Sequence, residues 1–567
     1  MTDKIFVIAL LLVTAAGAQE PAPPTTASTE VLWTDVREAA GITFVHHSAP
    51  EKKYIIESMS GGVALFDYNN DGLLDIYLVN SLTVETANSP ETAPSALYKN
   101  LGDFRFEDVS KEAGVDMPGW GMGLCVADVD ANGYLDLYIT AVGRNVLYLN
   151  QGDGTFRDTA GQAGVEAGGW SAGCGFADYD RDGDLDLFVS RYVHFDLNEL
   201  PEFGRGKTCQ YRGISVQCGP RGLPGTTDLL FRNDKENDGV PVFTEVGKAA
   251  GVHDPDEFFG LGIAWVDVNS DGWLDLYVAN DSNPSYLYMN QKDGTFLEDA
   301  FAMGVAVSED GGEQGSMGVA VGDYKNEGRF SLFISNFSEE YNSFYGNEGE
   351  YFSDISFRSA TAASSLPYVG WGTAFLDYDN DGWLDLAVVN GHVYPQLDFA
   401  KLGASAPYRQ RRLLYHNKGD GTFDEVAERY GEVMTEKRVG RGLALGDLNN
   451  DGRLDLVVND LDGPPMVLRH DRKDVGNWLQ VQLEGAGKMK NGIGAVIEAT
   501  AGKLKMRRLV RSGTSYLSQN DLRQHFGLGE ATSVDLRVLW PDGTTTDEKG
   551  VPANQTIVIQ QVVKKDS

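Results

Sequence analysis

Short apolar runs recur along the chain, separated by acidic, glycine-bearing stretches. Gly121-Met-Gly-Leu-Cys-Val-Ala127 is followed by such a stretch and then by a second apolar run, Leu137-Tyr-Ile-Thr140. Next comes a segment of the form Leu-Tyr-x-Asn-x-Gly-Asp-Gly-Thr-Phe, clearest at 147–156 and 414–423. Its Gly-Asp and Asp-Gly steps between β-rich runs predict a hairpin. The unit closes on Phe-x-Asp-Val-x-x-x-Ala-Gly-Val, as at 106–115. The pattern predicts a repeating unit of about four short strands.

The acidic stretch occurs seven times, beginning at Asp67, Asp128, Asp178, Asp267, Asp323, Asp377 and Asp447, with spacings of 61, 50, 89, 56, 54 and 70 residues. Roughly 50 residues is the length of one four-stranded propeller blade. The two ends of the array complete each other. Trp33 to Ile42 is a closing element with no acidic stretch before it, and Met466-Val-Leu-Arg469 is a third strand with no closing element after it. Joined in one blade they close a ring and leave no exposed sheet edge. The expected fold is all-β: a seven-bladed β-propeller over 31–470, then a small C-terminal β-sandwich or barrel over 475–563.

Six of the seven acidic stretches read Asp-x-[Asp/Asn]-x-[Asp/Asn]-Gly-x-x-Asp. Side-chain oxygens at positions 1, 3, 5 and 9 and the backbone carbonyl at position 7 can converge on one cation, and glycine at position 6 permits the sharp turn. The expected ligands are Asp67, Asn69, Asp71, Leu73 and Asp75 in the first loop, and Asp128, Asp130, Asn132, Tyr134 and Asp136 in the second. The third supplies Asp178, Asp180, Asp182, Asp184 and Asp186, and the fourth Asp267, Asn269, Asp271, Trp273 and Asp275. The sixth supplies Asp377, Asp379, Asp381, Trp383 and Asp385, and the seventh Asp447, Asn449, Asp451, Arg453 and Asp455. Hard oxygen donors in this number select Ca2+, at about six sites. Position 12 is apolar (Leu78, Ile139, Val189, Val278, Val388 and Val458), where an EF-hand needs a bidentate glutamate. In the fifth loop Lys325 and Ser331 replace two ligands, and the expectation is that the Lys325 ammonium stands in for the ion between Asp323 and Glu327.

Charge supports this picture. The chain of 567 residues carries a formal charge of −36, which excludes nucleic acid and an anionic membrane surface as partners. Six divalent ions would cancel about a third of that charge.

With these loops the chain resembles the FG-GAP/VCBS repeat family, whose blades are built round calcium loops of a type shared with integrin α-subunit propellers. From about 475 the segments Trp478–Leu483, Asn491–Ile497, Arg507–Arg511, Ser515–Gln519, His525–Gly529 and Val534–Gly543 resemble the ASPIC/UnbV domain that follows such propellers, as in the cartilage acidic protein family. By pattern alone this stretch reads as a compact domain of five or six strands. It carries a basic cluster, Lys488, Lys490, Lys503, Lys505, Arg507, Arg508 and Arg511, which either docks on the acidic propeller or binds a polyanion such as an acidic glycan.

Residues 1–18 have the form of a signal peptide, with Lys4, an apolar run from Ile5 to Val13 and the small residues Ala16-Gly17-Ala18. Residues 19–30 read as a flexible linker. The expected location is secreted or periplasmic, without membrane insertion, as a monomer. In that compartment Cys209 and Cys218 are expected to pair, whereas Cys125 and Cys174, offset by one position in neighbouring repeats, are expected to be buried thiols. No catalytic signature is found. The expected role is an interaction or adhesion module for an extracellular protein or glycan. The alternatives are a carbohydrate-active lyase or hydrolase with its site in the propeller channel, or a structural matrix or envelope component. For a channel site, Trp120, Trp170, Phe259, Trp371 and Arg441 would line one end, His46, His47, His253 and His392 would reach a mouth, and insertions at 191–225 and 391–412 would shape a face.

Overall fold

A computed structural model describes residues 32–398 and 407–562. The expected leader and linker, and part of the 391–412 insertion, lie outside the described residues. Seven antiparallel sheets follow one another through residue 470, each built on four strands in sequence, with the short strand Gln314–Gly315 adding a fifth to the fourth sheet. Blade 1 is Val63–Phe66, Asp75–Leu78, Ala96–Asn100 and Phe106–Asp108. The innermost strands of blades 2 to 7 are Trp120–Ala127, Ser171–Ala177, Gly260–Val266, Val319–Gly322, Gly370–Leu376 and Gly440–Gly446. The outer strand of blade 7 is Trp33–Asp35, which pairs with Met466–His470 in the register Trp33↔His470 and Asp35↔Leu468. The chain is therefore a closed seven-bladed propeller whose first strand completes its last sheet.

Glycine stands five residues before the first aspartate of every loop, and its reason is steric. A Cβ on Gly262 would meet the Met317 carbonyl at 2.1 Å, and one on Gly318 the Trp371 carbonyl at 2.1 Å. Inner strands of neighbouring blades converge there too closely for any side chain.

Cys209 and Cys218 form a disulfide. So do Cys125 and Cys174, with Cα atoms 5.8 Å apart, which corrects the expectation of free thiols. The two side chains do leave opposite faces of equivalent strands. In a propeller, however, the front of one blade packs on the back of the next, so opposite faces bring them together.

The C-terminal region pairs two sheets. Gln524–Gly529, Asn477–Glu484 and Gln555–Gln560 form one, with the last two parallel. Leu504–Leu509, Val496–Ala501, Ser533–Leu539 and Thr545–Pro552 form the other. Leu479, Val481, Ile497, Phe526, Leu536, Val538 and Trp540 fill the space between them. The segment 515–519, expected as a strand of this domain, instead leaves it and enters the propeller axis.

Candidate metal centres in the loop ring

The acidic loops share most of one backbone arrangement: the position-6 N–H donates to the position-1 carboxylate in all seven, and the position-5 N–H does so in all but the third. Thus Asn132 (3.1 Å) and Gly133 (2.8 Å) donate to Asp128, and Asp381 (3.0 Å) and Gly382 (2.8 Å) to Asp377. The position-9 carboxylate accepts one N–H from position 2 and another from the asparagine of the third strand, as Asp136 does from Val129 and Asn150, both at 2.8 Å. That asparagine's amide then reaches the preceding blade: Asn150 donates to the Tyr68 carbonyl (2.7 Å), Asn290 to Tyr179 (2.9 Å) and Asn417 to Tyr324 (2.9 Å). The Leu-Tyr-x-Asn motif thus fastens blade to blade.

Position 4 adds a second tie. It adopts a left-handed backbone in all seven loops, a region that asparagine tolerates better than most residues. Asn70 donates to the Gly133 carbonyl (2.9 Å), Asn326 to Gly382 (2.9 Å), Asn380 to Gly452 (3.1 Å) and Asn450 to Gly72 (2.9 Å). Arg181 reaches the Gly272 carbonyl in the same way. Five of the seven junctions between neighbouring loops carry this tie, the closure of the ring included; Ala131 and Ser270 stand at position 4 of the other two.

Position 3 divides the loops into two groups. Where it is aspartate, carboxylates gather: Asp128, Asp130 and Asp136 in the second loop, Asp178, Asp180 and Asp186 in the third, and Asp377, Asp379 and Asp381 in the sixth each bring ligand oxygens within 4.8 Å of one another. Where it is asparagine, its amide donates to the position-5 carboxylate, Asn69 to Asp71 (2.8 Å), Asn269 to Asp271 (2.9 Å) and Asn449 to Asp451 (2.7 Å). In those same loops a cationic side chain pairs with that carboxylate: Lys99 at 3.9 Å from Asp71, Lys292 at 3.1 Å from Asp271, and Arg453 on Asp451. The sequence reading did not find these partners, because Lys99 and Lys292 come from the hairpin rather than the loop.

The sixth loop has a further donor that sequence spacing missed. His416 places Nδ1 3.2 Å from Asp385 and 3.9 Å from Asp379. It fills the variable place of Leu-Tyr-x-Asn, which carries no ligand signal by itself. The fifth loop corrects another expectation. Among the described residues Lys325 forms no ion pair with Asp323 or Glu327, and its ammonium lies 5.6 Å from the centre of the Tyr324 ring. Asp323 is satisfied by Glu327 (3.0 Å) and Gly328 (2.8 Å) N–H groups, and Ser331 accepts the Asn347 N–H that an aspartate accepts elsewhere.

The donor sets fit a hard cation. Burial first, and neighbouring carboxylates after it, push the Asp178 carboxyl up to about 7 and that of Asp381 to about 6. In Asp128 burial again leads, raising it to about 7. Asp178 Oδ1, Asp379 Oδ1 and Asn449 Oδ1 are buried acceptors without a donor. A cation relieves both penalties at once. The oxygen-only loops suit a hard divalent cation, and the sixth adds an imidazole to carboxylates.

Two family descriptions match the chain. "FG-GAP-like repeat" matches residues 67–139, 128–189, 267–334 and 404–458, and "ASPIC and UnbV" matches 485–566. This is an FG-GAP repeat protein with an ASPIC and UnbV domain. It is similar to cartilage acidic protein 1 of Homo sapiens, 24% identical over 65% of this chain and 56% of that protein, and of Mus musculus, 23% identical over 65% and 58%. Cartilage acidic protein 1 of Xenopus tropicalis is 28% identical over 50% of this chain and 42% of that protein. The chain spans about half the length of the curated relatives it matches.

The ASPIC and UnbV domain sits on the face of the FG-GAP propeller that carries the acidic loops. Lys488 pairs with Asp184 (2.8 Å), Arg523 donates to Asn450 Oδ1 (3.1 Å), Arg507 to the Gly328 carbonyl (2.7 Å) and His525 Nε2 to the Gly452 carbonyl (3.1 Å). The basic cluster therefore docks internally in part, while Lys503 and Lys505 stay exposed. The segment 512–520 of the same domain fills the axis of the wheel. Ser515 and Val319 exchange backbone hydrogen bonds (2.9 and 3.2 Å), Gln519 bonds to Val63 and Leu65 (2.9 and 3.1 Å), and Leu124 donates to Leu517 (3.2 Å). A Cβ on Gly62 would strike the Leu517 carbonyl at 2.4 Å, and one on Gly123 the Leu517 Cβ at 2.6 Å.

Further along the axis Tyr516 meets Trp371 edge-on, ring centres 4.7 Å apart, and Arg441 lies 3.9 Å from that ring's centre. Trp120, Trp170, Phe259, Trp371 and Arg441 are all buried, so they pack the axis instead of lining an open channel. His46 and His392 are buried as well, and burial pulls each down to about 3. The two insertions meet over this end: Tyr211 stacks near Tyr394 (5.3 Å), and Gln217 donates to the Val393 carbonyl (2.6 Å).

Proposed function

We propose that the protein is a calcium-stapled interaction module that works in an oxidising compartment, secreted or periplasmic. The observation that carries the reading is the gathering of three carboxylates, buried or half-buried, within 4.8 Å in each of three loops of one ring. Unneutralised, such groups repel and pay for their burial; bound Ca2+ removes both costs and pins the first two strands of a blade together. Two disulfides fit that compartment, and no helix among the described residues is long and apolar enough to cross a membrane.

Binding is favoured over channel catalysis because both approaches to the axis are filled, one by the 512–520 segment and the other by the packed insertions. The partner is an extracellular protein or glycan, met by the chain as a monomer. Calorimetric titration of the calcium-stripped protein tests the metal reading. We expect two classes of Ca2+ site, the tighter comprising the second, third and sixth loops. Asp178→Asn should remove one tight site. A single weak class unaffected by that substitution would contradict it. A glycan and matrix-protein array probed with and without chelator tests the partner: calcium-dependent binding supports the interaction role, and no binding to either class counts against it.

A further inference from the structure

A cavity of about 110 Å³ lies between the propeller and the ASPIC and UnbV domain. Arg507, Arg508, Arg511 and Arg523 line it, against only two carboxylates, Asp377 and Asp521. Two carboxylates do not balance four guanidinium groups. Asp521 is paired with Arg523 at 2.7 Å, and Asp377 is held by the Asp381 and Gly382 N–H groups of its own loop. Arg511 forms no ion pair and no side-chain hydrogen bond among the described residues. It is half-buried and lines the cavity. Burial alone pulls its guanidinium down to about 10.

Arg508 is 8% exposed; its Nε donates to the His525 carbonyl (3.3 Å) and its Nη1 to the Arg507 carbonyl (3.1 Å), while Nη2 has no acceptor. Arg511 Nη1, Arg523 Nη2 and Arg507 Nε also lack hydrogen-bond acceptors, although Arg507 Nε stands 3.6 Å from Glu498. Four buried guanidinium donors without acceptors, all on residues that line one cavity, would cost far more than a surface charge, and a buried charge persists when it is paired. One lining group is an acceptor. His525 commits Nε2–H to Gly452 and leaves Nδ1 without a partner.

From these groups we infer that the interdomain cavity is a binding site for a small oxyanion of the hydrogen phosphate class. Guanidinium forks match the oxygens of a tetrahedral anion, and the volume admits one such anion with water. The unprotonated His525 Nδ1 would accept the hydrogen of the anion's hydroxyl. The anion would bridge both domains, tying the ASPIC and UnbV domain to the FG-GAP propeller.

The test is titration of the full chain with inorganic phosphate, in calcium-containing buffer at constant chloride and ionic strength, followed by calorimetry and by melting temperature. We expect saturable binding of one phosphate per chain and a rise in Tm that chloride does not produce. Arg511→Met should weaken binding at least tenfold, whereas Lys503→Ala with Lys505→Ala, on the exposed part of the basic cluster, should leave it unchanged. Because Arg511 lies beneath both domains, the wild-type titration stands as a separate arm: no saturable phosphate uptake by the folded protein would overturn the inference, with water filling the cavity. Loss of binding in the Lys503/Lys505 double variant but not in Arg511→Met would overturn it too, by moving the site to the surface.

Discussion

His392 sits in the packed axis with its Nδ1 accepting N–H groups from Val393 (2.9 Å) and Tyr394 (3.2 Å), so the folded protein needs the neutral imidazole. Burial, then Arg441 and Arg212, hold it down at about 3, whereas in the unfolded chain it titrates near 6.5. The unfolded state therefore binds the extra proton first, and this contribution to stability is lost as pH falls from about 6.5 toward 3. His392→Asn should flatten the dependence of unfolding free energy on pH in that window by up to about 1.4 kcal/mol per pH unit, measured by urea titration. An unchanged slope would count against the buried neutral histidine. At this scale the sequence was legible where a residue's role is set within its own loop, as with the position-1 aspartates and the glycine at position 6. It was not legible where the partner comes from elsewhere. Lys99 and Lys292 pair with loop aspartates from the hairpin, His416 joins the sixth loop from a strand, and Lys325 turns to a ring instead of the two carboxylates beside it.

Among the elements, strands and loops were readable because the four-strand unit repeats with its turn residues in place. Contacts between units were harder. The Cys125–Cys174 bridge depends on how two sheets face each other, which alternation along a single strand does not reveal. It joins the inner strands of blades 2 and 3 across 49 residues, a loop for which chain-entropy arguments give about 4 kcal/mol. Replacing both cysteines by alanine should lower Tm accordingly. Replacing Cys209 and Cys218, which close a separation of only 9 residues, should cost less. Equal losses in the two double variants, compared by differential scanning calorimetry, would contradict this ranking. Residues 515–519 were grouped with the strands of the C-terminal domain by their place in its sequence pattern, which does not show where the chain leaves a domain. The segment is instead a tight turn, with Ser515 and Leu517 in the left-handed region and Thr514 and Ser518 exchanging backbone hydrogen bonds, whose flanks also bond to the propeller's Val63 and Val319.

For the whole molecule, closure of the ring was legible from two incomplete ends, and the pairing of Trp33–Asp35 with Met466–His470 realises it. The placement of the C-terminal domain was left open between internal docking and a polyanion surface, since a basic cluster near an acidic array satisfies either. In the fold the acidic loops serve three contacts together: they tie to one another through position 4, to neighbouring blades through the third-strand asparagine, and to the docked domain through Lys488, Arg523 and His525. Loss of cations should thus loosen the whole wheel and not a single turn. The most direct test is differential scanning calorimetry of the purified protein before and after EDTA, with Ca2+ then restored. At 100 times its Kd, each bound ion adds about 2.7 kcal/mol. The account predicts a large fall in Tm on chelation that excess Ca2+ reverses. A melting curve unmoved by EDTA and by added Ca2+ would contradict it.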